Sequence, residues 1–427
     1  MSIRLQAIRG FNDVLPPAVT QWQHLEAKLR ACVDSYAYQE IKLPMLESSS
    51  LFKRCIGEVT DIVEKEMYTF NDLNGDSLSL RPEGTAGCVR AMIEHGMLRQ
   101  VQKLWYFGPM FRHEKPQKGR YRQFYQFGVE IFGVDQVAAD LELLLMTHDI
   151  WRSLGLAQEI HLQLNCLGQM AERLRYRDAL LAFFEAHRHQ LSEEESQRLI
   201  RNPLRLLDSK AAHIQALLSD APKLIDFISQ ESRHRFDSLC QALSDAGIAY
   251  QLNPYLVRGL DYYNELVFEW VSDHLGSQAT VCAGGRYNIL VEQLGGPKTP
   301  AIGFALGVER LLLLLENRLS TDNPIDVYIL SQEPQPLLKT QVLARLIRQE
   351  LGLKVEVNLS TSSLKSQFKR ADKSGAMYAL ILGADELQKD VVTLKLLRQH
   401  LALEQQLTLP HHELLAFLKK HRGESNV

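Results

Sequence analysis

The sequence predicts an α+β protein. An antiparallel-sheet domain over residues 1–324 is interrupted by a helical insertion at 166–246, and an α/β unit follows at 325–427. Three observations carry this. Two apolar strand-like runs, "LWYFGPM" and "YQFGVEIFG", flank a basic loop within "FRHEKPQKGRYRQF" (111–124). Between 166 and 246 the chain turns polar and helical, as in "LRYRDALLAFFEAHRHQLSEEESQRLI", and "IAYQLNPYLVRGLDYYNELVFEWV" then resumes strand patterning. After the turn-rich "ENRLSTDNP" (316–324), strand and helix signals alternate to the end of the chain, which marks a separate α/β unit.

The elements follow in order. Trp22, Leu25, Leu29, Cys32, Val33 and Tyr36 recur at helical spacing, predicting a helix within 18–40. "IKLPMLE" reads as a strand, and Pro44 places it at an edge, a bulge or an interface because proline has no backbone donor. In the hairpin, Trp105, Phe107, Pro109 and Phe111 share one face with Tyr125, Phe127, Val129 and Ile131 across the pair. The opposite face carries Tyr106, Gly108, Met110, Arg112 and Glu114, then Phe124, Gln126, Gly128 and Glu130. One face suits a core. The other, opened by Gly108 and Gly128, suits close approach of a polar, phosphate-bearing ligand.

Four further stretches carry candidate chemistry. "LRPEGTAG" (80–87) sets Arg81, Glu83 and Thr85 around Pro82 and Gly84, as a site or as a strand-to-helix turn capped by Thr85. "LVRGLDYYNELVFEW" (256–270) offers Arg258 and Asp261, an ion pair or a site, beside Tyr262 and Tyr263. "CAGGRYNIL" (282–290) has a Gly-Gly step that permits a turn or close backbone approach. "PAIGFALGVERLLLLLE" (300–316) reads as a strand, then a helix apolar nearly all round, with a stripe of Val308, Leu311, Leu312 and Leu315. Arg310 in its first turn therefore needs a partner, a carboxylate or a phosphate.

The bulk properties narrow the classes. Net charge is −3, so contact with nucleic acid requires local basic patches. The six cysteines have no paired ligand spacing, which argues against a zinc site or a disulfide framework and for a reducing compartment. The lack of a long apolar run predicts a soluble, cytoplasmic protein without membrane contact. Neither a Walker A sequence nor a dinucleotide fingerprint is present, so a bound nucleotide would lie on the antiparallel sheet against arginines.

Taken together, these motifs resemble the histidyl-tRNA synthetase family of class II aminoacyl-tRNA synthetases. "KLPMLE", "FRHEKPQKGRYRQF" with "GVE", and "AIGFALGVERL" match the three class II motifs in order, and "LVRGLDYY" and "AGGRYN" match the two peculiar to the histidine family. The resemblance spans nearly the whole chain. It implies a ligase that activates L-histidine with ATP and Mg²⁺, transfers it to tRNA(His), works as a homodimer and has no structural metal. The sheet domain would then be catalytic and the C-terminal unit anticodon-binding.

The resemblance also implies roles. Arg112 would grip the α-phosphate, Glu114 the adenine end, Phe124 would stack on adenine, and Arg310 would cover its other side and the phosphates. Glu83, Thr85 and Gln126 would hold the α-amino group, and Glu130 and Tyr263 would read the imidazole nitrogens between Tyr262 and Tyr287. Arg258 would be the catalytic arginine opposite Arg112, while Gln117 and Arg122 would meet the tRNA acceptor end. Asn288 stands where the family commonly has Asp, and Tyr125 stands where many relatives have His, on the apolar face. A second reading is the non-catalytic regulatory subunit of ATP phosphoribosyltransferase, which shares the catalytic fold. That relative lacks the C-terminal domain and loses the ATP-binding arginines, whereas Arg112, Arg258 and Arg310 are present here.

Overall fold

The computed structural model describes residues 4–421 apart from 58, 59, 61, 208, 210, 261, 317, 320–324, 332, 333, 361 and 399–405. Asp261 and the boundary expected at 324 therefore lie outside the described residues. The chain forms two compact units, Met1–Leu319 and Ser320–Val427.

The first unit is built on an eight-stranded sheet. Its spatial order is Gln39–Glu40, Gln102–Phe111, Gln123–Phe132, Ala301–Gly307, Thr280–Arg286, Asn264–Val271, His161–Cys166 and Tyr250–Leu252. All neighbours pair antiparallel except the two edge strands, which pair parallel. The hairpin alternation translates directly into packing. Trp105, Phe127, Val129 and Ile131 enter one core with Leu25, Leu29 and Val33 of helix Ala18–Ser35 and Leu143, Ile150 and Trp151 of helix Val137–Ser153. Burying each such large side chain contributes about 1.5–3 kcal/mol. Tyr125 lies on this face, its ring centroid 4.9 Å from that of Trp22.

The two parallel strands at the far edge, His161–Cys166 and Tyr250–Leu252, need a crossover, and the helix-rich segment supplies it. Helices Met170–Ala186 and Glu193–Arg201 begin in capping boxes, Gln169 with Glu172 and Ser192 with Glu195. Tyr176, Leu180, Phe184, Leu199 and Ile214 bury together on the opposite side of the sheet from the first core. Helix Gln230–Asp245 behaves differently: Phe236, Leu239 and Leu243 join the core of the sheet itself. Its amphipathic stripe reads like those of its neighbours, and only the three-dimensional return to the edge strand assigns it to that side.

In the second unit the sheet order is Val355–Val357, Val327–Ser331, Tyr378–Leu382, Val391–Leu396 and Gln406–Pro410. The first three strands are parallel and the last two antiparallel. Helices Pro334–Leu351, Leu364–Lys373, Ala384–Lys389 and His411–His421 complete the α/β unit that the alternation predicts. No helix among the described residues is long and apolar enough to cross a membrane.

Candidate active site

The face of the hairpin turned away from the first core does not stay open at its glycines. A Cβ at Gly108 would collide with the Arg81 guanidinium, and one at Gly128 or Gly84 with the Tyr106 ring. Arg81 is clamped by three carbonyls, donating from Nε to Pro109 O (2.8 Å) and from Nη1 to Leu43 O (2.8 Å) and Pro44 O (3.3 Å). These glycines make room for protein side chains that cross the sheet, and so correct the expectation that they face a ligand directly.

The cleft lies further along the same face. It encloses about 970 Å³ including its open mouth, within the range of small-molecule sites. Glu83, Thr85, Arg112, Glu114, Phe124, Gln126, Arg258, Tyr262, Tyr263, Tyr287 and Arg310 all line it. Strand register explains the assembly, because Gln126 pairs with Gly307 and Glu130 with Gly303. A Cβ at Gly303 would strike the Glu130 carboxylate, so Glu130 lies directly beneath this part of the floor.

At this end of the cleft the groups are carboxylates and hydroxyls. Thr85 Oγ1 donates to Glu130 Oε1 (2.7 Å), Tyr106 donates to the same oxygen (3.3 Å), and Tyr287 donates to Oε2 (2.5 Å). Glu130 is 1% exposed. Burial pushes its carboxyl up to about 8, against the pull of the Tyr287 and Thr85 hydroxyls. Glu83, not Thr85, caps helix Thr85–Glu94, accepting from the amides of Thr85 (2.7 Å) and Ala86 (2.9 Å). Tyr262, Tyr263 and Tyr287 form a ring cluster with centroids 4.6–6.5 Å apart.

The remaining wall is cationic. Arg112 donates from Nε to Pro82 O (2.9 Å) and lies 5.3 Å from the Phe124 ring centroid. Burial lowers its pKa, and the nearby Arg258 lowers it further. Arg258 pairs with Glu269, which also accepts from Thr280 Oγ1 (2.9 Å). Burial is the largest influence on Arg258 and disfavours its charge, but Glu269, Tyr263 and Tyr262 together outweigh it and the pKa is raised. Arg310 donates to Thr280 O (2.7 Å) and Gly119 O (3.3 Å), so backbone carbonyls answer the question its position raised. Burial, Arg120 and Arg112 bring its pKa down to about 10.

Outside the Glu114–Arg120 ion pair, two buried polar atoms on this wall have no hydrogen-bond partner among the described residues, Gln126 Oε1 and Arg258 Nε. Buried polar atoms are nearly always paired, so this acceptor and this donor point to a ligand that supplies both complements. The cleft thus suits a molecule with an anionic centre among guanidiniums and an N–H-bearing group near Glu130 and the tyrosines.

Other expected residues are placed elsewhere. Gln117 is exposed and joined to Arg120 by reciprocal backbone bonds of 3.0 and 2.9 Å. The methylenes of Arg122 pack against Gly10, and its Nε donates to Glu114 O (3.3 Å), so it lies outside the cleft lining. Glu114 forms an ion pair with Arg120. Asn288 is structural: its Oδ1 accepts from Ala301 N (3.0 Å) and its backbone N–H donates to Asn264 Oδ1 (2.8 Å). Sequence reasoning passed over Arg120, Glu309 and Glu269, and placed Tyr106 on this face without giving it a role. Arg120 sat within the quoted basic loop, and Glu269 was exposed to discovery by its alternation with Phe268 and Trp270 on a strand whose register sets it opposite Ala283 of the cleft.

Comparison with known proteins agrees with this geometry. The histidyl-tRNA synthetase family profile matches residues 10–311, and an anticodon binding domain profile matches residues 329–421. A protein named histidine–tRNA ligase from Legionella pneumophila (strain Paris) is 53% identical over 423 residues, covering 98% of this chain and 99% of that one. The crystal structure of apo S. aureus histidyl-tRNA synthetase superimposes with a TM-score of 0.80 at 36% identity, covering 97% of this chain and 100% of that one. An ATP phosphoribosyltransferase regulatory subunit/histidyl-tRNA synthetase from Bacillus halodurans C shares the fold, with a TM-score of 0.64 at 21% identity, covering 90% and 100% of the two chains.

Proposed function

The chain belongs to the histidyl-tRNA synthetase family, and from that premise we propose how its cleft performs the ligase reaction. The protein is a histidine–tRNA ligase. Its reaction joins L-histidine to AMP with release of pyrophosphate, then transfers the histidyl group to the 3′ end of tRNA(His) with release of AMP.

The pair of partnerless buried atoms carries the reading. The histidine α-ammonium donates to Gln126 Oε1, next to Glu83 and Thr85, and a phosphate or carboxylate oxygen accepts from Arg258 Nε. Histidine's carboxylate attacks the α-phosphorus of ATP. Negative charge then grows on the phosphate oxygens, which Arg112 and Arg258 stabilise from fixed positions. Phe124 and Arg310 sandwich the adenine, and Glu114 sits at its outer end. The imidazole enters among Tyr262, Tyr263 and Tyr287, with one ring nitrogen read by Glu130 past Gly303 and the other by Tyr263. Two unlike nitrogens require two unlike partners.

Mg²⁺ enters as MgATP. As part of that substrate it would need few protein carboxylates, in keeping with Glu269 being already paired with Arg258. Gln117, on the exposed tip of the hairpin loop, and Arg122, which also braces that loop, meet the acceptor end. The second unit takes the anticodon end of the tRNA. Exposed Met45, Leu46 and Phe70 around the small sheet of Leu46–Ser48, Thr69–Asn71 and Ser77–Leu80 support a homodimer formed beside Pro44, and six free cysteines fit a reducing cytoplasm.

Histidine-dependent ATP–pyrophosphate exchange on the purified protein tests the reading. Exchange should require histidine and fail with other amino acids. A protein that binds histidine but never exchanges pyrophosphate would instead fit the regulatory-subunit reading, which the arginines in the cleft and the anticodon binding domain match disfavour.

A further inference from the structure

Behind the segment that carries Arg258 lies a second cavity of about 910 Å³ including its mouth. Five of its thirteen lining residues are arginines (Arg173, Arg177, Arg201, Arg205 and Arg258), and none of the described ones is acidic. In a chain of net charge −3 such a concentration is not a sampling of the average surface. Arg173 and Arg177 stand one turn apart on helix Met170–Ala186, and Arg201 and Arg205 approach from the end of helix Glu193–Arg201 and the turn after it. Four guanidiniums therefore line the cavity from three elements.

The inner pair is held in place. Arg173 Nη1 donates to Tyr263 O (2.5 Å) and Arg205 Nη2 to Gly259 O (3.3 Å), so the two brace both ends of the 259–263 segment. The outer pair is exposed, and its acidic neighbours sit on the rim, Asp178 at 3.0 Å from Arg177 and Glu64 at 3.7 Å from Arg201. Ion pairs this exposed are weak and yield readily to a stronger anion. The lining includes Met170 and Leu174, each less than half exposed, which provides an apolar surface beside the charges.

We propose that this arginine-lined cavity is a phosphate-binding site, distinct from the adenylate cleft and separated from it by the Arg258 segment. Guanidinium forks suit phosphate oxygens bidentately, and an inner pair already fixed by the backbone loses little freedom on binding. The phosphate can belong to an RNA backbone or to a free polyphosphate. Both present the same oxygens.

The test uses the full chain and two variants, R177E/R201E and the milder R177Q/R201Q, neither of which touches the adenylate cleft. Tripolyphosphate binding is measured by calorimetry and binding of a short RNA duplex by fluorescence anisotropy over a salt series. Circular dichroism checks folding, and histidine-dependent pyrophosphate exchange is followed in parallel. Losing two charge-assisted contacts should weaken the affected probe at least about tenfold. For RNA it should also reduce the salt slope by roughly 1–2. Weakening of both probes supports an open phosphate site, of RNA alone a site for nucleic-acid backbone, and of tripolyphosphate alone a site for free polyphosphate. Unchanged binding of both probes in folded R177E/R201E overturns the proposal, and normal exchange in that variant leaves the ligase reading standing.

Discussion

Glu130 and Tyr287 meet at 2.5 Å beneath the cleft floor, hydroxyl to carboxylate, joining strand Gln123–Phe132 to the residue that follows strand Thr280–Arg286. Thr85 and Tyr106 bring two more hydroxyls to the same carboxylate. Three donors leave one lone-pair direction for a ligand N–H. Above about pH 8, where Glu130 is ionised, Glu130→Gln should therefore weaken histidine binding by roughly 10- to 100-fold, the worth of one charge-assisted hydrogen bond, and leave ATP affinity nearly unchanged. Calorimetry with each ligand decides it. Equal losses for both would move Glu130 out of the imidazole pocket.

The raised carboxyls also shape stability. Glu130 holds its proton in the fold up to about 8 and Glu309 up to about 7, against an ordinary value of 4.5. Burial is the main cause in each. Below 4.5 both folded and unfolded states are protonated, and the contribution to stability is fully present. As pH rises towards the folded values the unfolded chain ionises first, so stability declines and the loss is complete above about 8. Tm should fall across this window, and Glu130→Gln should flatten part of the fall. An unchanged pH profile in the variant would show that the fold tolerates the ionised carboxylate.

Arg258 pairs with Glu269 yet keeps its Nε unpartnered. Arg258→Ala should lower the rate of adenylate formation by about 3–4 kcal/mol of barrier, or roughly 10²–10³-fold. Histidine binding should persist, because the tyrosine cluster and Glu130 remain. Glu269 retains Thr280 as a partner, which limits the structural cost. Near wild-type pyrophosphate exchange in this variant would remove Arg258 from the chemistry.

Gly128 makes way for the Tyr106 ring, which in turn reaches Glu130. Gly128→Ala should force that ring aside at a cost of about 1–3 kcal/mol in stability and raise the KM for histidine. Tyr106→Phe keeps the ring and drops only the hydroxyl, so it should raise the KM for histidine with little change in Tm. If both variants change Tm alike and neither changes KM, Tyr106 is packing and nothing more.

How much of this was legible follows from the range of each interaction. The hairpin faces were readable because alternation is local, and Tyr125 lies against Trp22 as its parity requires. The α/β character of the second unit was readable for the same reason. Contacts set by distant pairing were not. Arg286 is fully buried and clamped to Asp140 by two bonds of 2.7 Å across 146 residues of sequence, and nothing near either residue announces it. Gly108 and Gly128 signalled close approach correctly, but the approaching groups, Arg81 and Tyr106, could be identified only once the strands were in register. That Arg122, expected to meet the tRNA acceptor end, also packs against Gly10 depends on where the N-terminal segment lies, which periodicity does not specify.

The second unit allows a test that leaves the cleft untouched. Its helix Leu364–Lys373 carries Lys365, Lys369, Arg370 and Lys373, a basic stripe in sequence. The structure divides that stripe. Arg370 is engaged by Asn358 Oδ1 (2.6 Å), Ser360 Oγ (3.0 Å) and the Ser362 hydroxyl, and so ties the helix to the loop before it. Lys365, Lys369 and Lys373 are exposed at successive turns. If these lysines meet RNA phosphates, reversing all three to Glu should reduce the salt slope of tRNA binding by roughly 2–3, close to one per lost contact. Charging of tRNA should fall with it while histidine-dependent pyrophosphate exchange stays at the wild-type rate. Arg370→Ala should instead lower the stability of the second unit and leave the salt slope nearly unchanged. Unaltered salt dependence in the triple lysine variant would make this face solvent-exposed only, and the anticodon contact would have to lie elsewhere on the unit.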